Sequence, residues 1–176
     1  LARGLPLLRP EDCNAPDQCE LIRSAATAAA QRAASDGRPQ PGPVFVVIAF
    51  GQKLSPPLLS DVFAINLHGS LLPKYRGAAP VQYAIREGER TTGVTIFQIE
   101  PALDSGPMVG KVETEIGEEE TAGELMLRLG ELCVPLTLEV LDQLECGSAR
   151  FEVQDPAGVV LAPKIPREAG QLDFRQ

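Results

Sequence analysis

The stretch PVFVVIAF, Pro43 to Phe50, constrains the fold more than any other part of this 176-residue chain. It is a continuous apolar run rich in β-branched residues, the pattern of a strand buried on both faces. Strands of that kind belong to sheets covered by helices, and the remaining sequence supplies the alternation such a sheet needs. Glu20 to Ser35 is alanine-rich and predicts a helix, ended by Asp36-Gly37 and the proline-rich RPQPGP. Asp61 to Asn66 (DVFAIN) predicts a second strand. Ala79 to Glu87 predicts a helix with Val81, Ala84 and Ile85 on its inner face. Thr92 to Ile99 predicts a third strand, and Met108 to Ile116 a fourth that alternates as a half-exposed strand does. Thr121 with Glu124 forms a capping box at the start of a long amphipathic helix to Glu145. Leu125, Leu129, Leu132, Leu136, Val140 and Leu144 recur there at helical spacing. Gly147 should stop this helix and Pro135 should kink it. GLPLLRP, Gly4 to Pro10, reads as a short strand. From Phe151 onward the chain reads as an extended strand pair leading into a linker. The expected class is α/β, a doubly wound and mostly parallel sheet.

The length suits one domain around a single core. Hydrophobic residues at 44% and charged residues at 23% are ordinary for a soluble globular protein. Val44 to Phe50 is too short to span a bilayer, and no charged and then apolar leader opens the chain. No membrane contact is therefore expected, and the protein is expected to be a cytoplasmic monomer. Cys13, Cys19, Cys133 and Cys146 show neither C-x-x-C nor zinc-type spacing, which suits free thiols in a reducing compartment. With one histidine and no paired cysteines, no metal site is expected. The net charge of −8 argues against nucleic-acid binding by this stretch alone, since phosphate needs a basic surface. If a nucleic acid is the partner, the basic surface must lie outside this chain.

In an open α/β sheet, ligands sit beyond the carboxyl ends of strands. Asn66 and His68 fall just past DVFAIN, inside INLHGSLLPKYRGAAP, and Asp104 falls just past TGVTIFQI. Two successive strands are thus expected to bring an amide, an imidazole and a carboxylate to one edge. That set, with no activated nucleophile beside it, suits direct acyl-type transfer to an amine. An amide N–H and an imidazole N–H can hydrogen-bond the developing oxyanion, and a carboxylate can orient the ring or accept the proton of the amine. Each residue also has a plainer role open to it. His68 could be a satisfied structural histidine, and the aspartate of the LDSG turn could only cap backbone N–H groups. Ser70 lacks a G-x-S-x-G elbow, so a hydroxyl that shapes the loop is favoured over a nucleophile. GPMVGK is one residue short of a P-loop and lacks the final Ser/Thr. The run Glu118 to Glu120 precedes the Thr121 cap, where the helix dipole favours it.

INLHGSLLPKYRGAAPVQYAI, TGVTIFQIEPALDSGPMVGK and VLAPKIPREAGQLDF together resemble the methionyl-tRNA formyltransferase family. The N-x-H, S-L-L-P-x-x-R-G and L-D-[ST]-G elements occur in that order. The resemblance runs from about Gly4 to the end of the chain. It implies a formyltransferase Rossmann-like fold. It also implies transfer of the formyl group of 10-formyltetrahydrofolate to the amino group of methionyl initiator tRNA, in translation initiation. It implies catalytic roles for Asn66, His68 and Asp104, and a folate-contacting segment at Ser70, Leu71, Leu72 and Pro73. A Leu-Leu-Pro wall against a pteridine is physically reasonable, because ligand pockets are mostly apolar with a few polar groups.

Set beside that family, the chain opens near the third strand of the nucleotide fold. The first βαβ part and a basic tRNA-facing loop are then missing, and the chain closes where a basic, β-rich C-terminal domain should begin. Residues 1–150 are accordingly expected to be a partial catalytic domain, and 151–176 an extended link toward an absent one. Loss of a central strand should leave unpaired edges and exposed apolar area. Two other functions stay open: formyl transfer to another amine such as a UDP-amino sugar, and a non-catalytic folate-binding fragment. GAAPVQ and the APKIPREAGQLDF tail favour the tRNA enzyme.

Overall fold

The computed structural model describes residues 8–35 and 42–170. The strand expected at 4–10 lies largely outside the described residues, as does most of the RPQPGP stop. The closing QLDF lies wholly outside them. Two compact units divide the chain. One is built from the segment up to Phe45 and Ala49–Ala64, the other from Val46–Ile48 and Ile65 onward.

In the first unit, helix α1 (Pro16–Ser35) starts earlier than its alanine-rich stretch suggests. Pro16 has its φ pre-set for a first turn, and Asp17 complements the helix dipole there. Cys13, Cys19 and Leu58 form a small core, with Ile22, Phe45 and Leu54 packed on it. Leu58 belongs to a four-residue helix, α2 (Pro56–Leu59), for which no expectation had been drawn.

The second unit holds most of a four-stranded sheet in the order β1-β2-β3-β4. Its strands are β1 (Val44–Ile48), β2 (Phe63–His68), β3 (Thr91–Gln98) and β4 (Met108–Glu115). The α/β class is as expected, but the strands are not uniformly parallel. β2 pairs with β3, and β3 with β4, in antiparallel register. The loop 99–107 explains the second pairing, being shorter than the roughly dozen residues a parallel crossover requires. β1 also differs from its expected burial on both faces. It lies at the end of the strand order, and Ile48 is 56% exposed. Val46 and Ile48, two apart on one face, are its exposed residues.

Residues directly opposite in an antiparallel ladder share a face. Leu67, Ile96 and Gly110 therefore face one way, while His68, Thr95 and Lys111 face the other. A Cβ on Gly110 would stand 2.7 Å from Val140 and 3.3 Å from Leu136, so α4 (Ala122–Glu145) covers the first face. The expected capping box opens α4: the Thr121 hydroxyl accepts from the Glu124 N–H, and the Glu124 carboxylate accepts from the Thr121 N–H at 2.9 Å. Leu125, Leu129, Leu136 and Val140 are buried along it, and the helix continues through Pro135. Gly147 follows with a left-handed φ of 67°. A shorter helix, α3 (Pro80–Arg86), joins β2 to β3. Residues 151–170 run mostly extended but are tied to the sheet unit. Glu152 pairs with Met108 and Leu161 with Arg76, and Ala162 is fully buried. Among the described residues no helix is long and apolar enough to cross a membrane.

Candidate active site

β2 runs through His68, two residues beyond the strand end expected from DVFAIN. Asn66 and His68 stand two apart on one strand, so their side chains share the face opposite α4. Among the described residues no hydrogen bond engages the Asn66 carboxamide. The His68 ring is only 6% exposed, with the Phe97 ring edge-on at 6.3 Å. Its Nε2 lies 2.8 Å from the Tyr75 carbonyl oxygen. A carbonyl only accepts, so Nε2 carries the hydrogen and donates it. Nδ1 is then the ring nitrogen left for chemistry. It stands 3.9 Å from Asp104 Oδ2, an ion-pair distance when the ring is protonated and too long for a direct hydrogen bond.

Tyr75 reaches His68 because the segment 69–77 folds back across the sheet face. Leu72 N–H donates to Thr95 Oγ1 at 3.1 Å, and that hydroxyl donates to the Ser70 carbonyl at 2.7 Å. Tyr75 itself takes a left-handed φ of 64°. Its hydroxyl donates to Glu89 Oε1 at 2.7 Å, and Lys74 Nζ meets the same oxygen at 2.8 Å. Burial, with the Glu89 carboxylate beside it, pushes the Tyr75 phenol up to about 12. The hydrogen bond from Lys74, followed by that from Tyr75, holds Glu89 below the usual carboxylate value.

Asp104 sits in the loop 99–107 with a φ of 46°, a conformation that aspartate tolerates better than most residues. Its Oδ2 accepts from the Gly77 N–H at 2.8 Å. The carboxylate thus caps a backbone donor and faces His68 at once, so neither role read from LDSG excludes the other. The route by which the groups meet needs correction. The antiparallel pairing sends the carboxyl ends of β2 and β3 in opposite directions, so they share no sheet edge. The loop 99–107 instead returns over the face that carries Asn66 and His68.

The SLLP segment divides by burial. Ser70 is wholly buried, and its hydroxyl donates to the Lys74 carbonyl at 2.6 Å, which shapes the loop. Leu72 packs with Phe97 and Met108. Leu71 and Pro73 stay half-buried, across a cis Leu72–Pro73 peptide. Three groups at the site had no expectation attached: the Tyr75 carbonyl, the Gly77 N–H, and Gln154, which binds the Asp104 loop. Gln154 carries no local signal, since its partners are 48 to 78 residues away.

A free carboxamide, one available ring nitrogen and a facing carboxylate on an α/β sheet suit charge stabilisation and proton movement in an acyl-type transfer. The sequence profile of one family, formyl transferase, matches residues 13–141, and the chain belongs to that family. It is 35% identical over 178 residues to the methionyl-tRNA formyltransferase of Methylococcus capsulatus, covering 100% of this chain and 53% of that protein. It is 43% identical over 139 residues to the methionyl-tRNA formyltransferase of Rhodopirellula baltica, covering 74% of this chain and 42% of that one. The chain thus spans about half the length of the relatives it matches. The fold is similar to HypX from Aquifex aeolicus, solved with tetrahydrofolic acid, at a TM-score of 0.68 and 19% identity over 90% of this chain and 28% of that one. It is also similar to WlaRD, a sugar 3N-formyl transferase solved with dTDP and 5-N-formyl-THF, at 0.66 and 20% identity over 76% of this chain and 49% of that one.

Proposed function

We propose that this chain is the formyl-transfer part of a methionyl-tRNA formyltransferase, moving a formyl group from 10-formyltetrahydrofolate to the amino group of methionyl initiator tRNA. The observation that carries this is the placement of Asn66, His68 Nδ1 and Asp104 over one sheet face, in a chain whose named relatives are methionyl-tRNA formyltransferases. The folate supplies an activated formyl carbon. Leu71 and Pro73 offer it an apolar wall, held in shape by buried Ser70 and Leu72. The free Asn66 carboxamide donates to the carbonyl oxygen as charge develops there. His68, held through Nε2, presents Nδ1 to the reacting groups, with Asp104 Oδ2 3.9 Å from it. The four cysteines described are free thiols, which fits a cytoplasmic enzyme. The tRNA is held mainly by basic parts other than this acidic chain, and the enzyme acts as a monomer.

The test uses the complete enzyme that carries this chain, assayed with charged initiator tRNA and 10-formyltetrahydrofolate. Asn66→Ala and His68→Ala should each lower kcat by about 10²–10³, with folate affinity little changed. Full turnover after either change would refute the residue roles. Formylation of a UDP-amino sugar in place of the tRNA would refute the acceptor.

A further inference from the structure

Gln154 is a neutral side chain only 4% exposed, yet it makes four hydrogen bonds to three distant points of the chain. Its Nε2 donates to the carbonyls of Asp104 at 2.9 Å and Gly106 at 2.8 Å. Its Oε1 accepts from Arg76 Nε at 3.0 Å and from a terminal guanidinium nitrogen at 2.7 Å. Arg76 directly precedes Gly77, whose N–H holds Asp104 Oδ2. One carboxamide therefore binds Asp104 and the residue next to Gly77, at the two ends of the bond that aims Asp104 at His68. Its own position is fixed on either side. Glu152 exchanges two 2.8 Å backbone bonds with Met108, and Asp155 caps the 3-10 turn Pro156–Gly158.

An apolar side chain of equal volume would fill the same space but leave Arg76 and the two loop carbonyls without their partner, so hydrogen bonding and not volume holds the arrangement. The carboxamide adds a fixed relation between two loops, and both ends of that relation lie at the candidate site. We infer that Gln154 is a positioning residue: it sets the separation of Asp104 from His68 by holding the loop 99–107 against Arg76-Gly77. Its consequence for catalysis rests on the function proposed above, whereas its effect on geometry does not.

His68 is the only histidine in the chain, so its ring nitrogens give one unambiguous pair of 15N resonances. The labelled chain should show the Nδ1 resonance displaced in Gln154→Met and also in Asp104→Asn. The double variant should move no further than Asp104→Asn alone, because the clamp acts through the carboxylate. Exchange of the Gly77 amide should accelerate in Gln154→Met. Gln154→Glu keeps the acceptor for Arg76 and loses both donors to the loop. It carries the same comparison if the methionine variant is unfolded. A wild-type Nδ1 resonance in the folded variant, or a Gln154 displacement that persists in full beside Asp104→Asn, overturns the inference. In the complete enzyme, Gln154→Met should lower kcat roughly 10- to 100-fold with folate KM little changed. An equal loss carried by KM alone would count against positioning. A wild-type enzyme that transfers no formyl group would sink the function but leave the NMR comparison decisive for the clamp.

Discussion

Gly106 is where a single added carbon should be most damaging to the loop that carries Asp104. A Cβ built there falls on the Gln98 carbonyl oxygen, with Glu100 Cγ at 3.4 Å beyond it. That carbonyl cannot simply yield. Gln98 is paired with Ile65 in the ladder, and its N–H donates to Pro107 at 2.9 Å. Gly106→Ala must therefore displace the loop. Overpacking of this kind costs about 1–3 kcal/mol. The displacement also loosens the Gln98–Pro107 bond and the 2.8 Å bond from Gln154 to Gly106, at about 1 kcal/mol each. Not all of this adds, so the expected loss is about 2–4 kcal/mol. Gly130 supplies the control. It lies inside α4 with nothing within 4 Å of its missing Cβ, so Gly130→Ala should stabilise by about 0.5–1 kcal/mol. The chain has no tryptophan, so urea titrations followed by far-UV circular dichroism suit both variants. The midpoint should fall in one and rise in the other at constant slope. A Gly106→Ala variant within about 0.5 kcal/mol of wild type would refute the packing argument, because surface changes are commonly that small.

Thr121→Ala removes the side-chain half of the α4 capping box and should cost about 1 kcal/mol in the same titration, with faster exchange of the Glu124 amide. Glu89 gives a pH test. Its folded value is depressed by Lys74 and Tyr75, so its stabilisation is present above the ordinary value of 4.5 and disappears as pH falls through the folded value. The melting-temperature gap between wild type and Glu89→Gln should be open at neutral pH and close below 4.5. A gap that persists into that range would contradict the assigned pair.

The elements whose causes are local were legible in the sequence. The capping box, the leucine spacing of α4 and the β-branched run of β1 each depend on neighbours a few residues away, and each formed. Strand direction was legible only between β3 and β4, where the short loop 99–107 excludes a parallel crossover, because apolar runs themselves do not encode which way the chain returns. The edge position of β1 was missed for a similar reason: burial of a strand depends on what lies beside it. Asn66, His68 and Asp104 were singled out by residue type and by position after strands. The structure places Asn66 and His68 on one strand face and brings Asp104 opposite His68, though by a folded-back loop. The groups that aim them escaped notice because they are backbone atoms of a turn and a glutamine far along the chain. Contacts across such separations leave no periodicity to read.

The bond from His68 Nε2 to the Tyr75 carbonyl also fixes which ring nitrogen the site presents. With that nitrogen tethered, a half-turn of the ring would break a buried hydrogen bond, so the two nitrogens do not trade places. Nδ1 is thereby held toward Asp104 by a ring that does not have to turn, so the orientation a reacting group would need is already set by the fold.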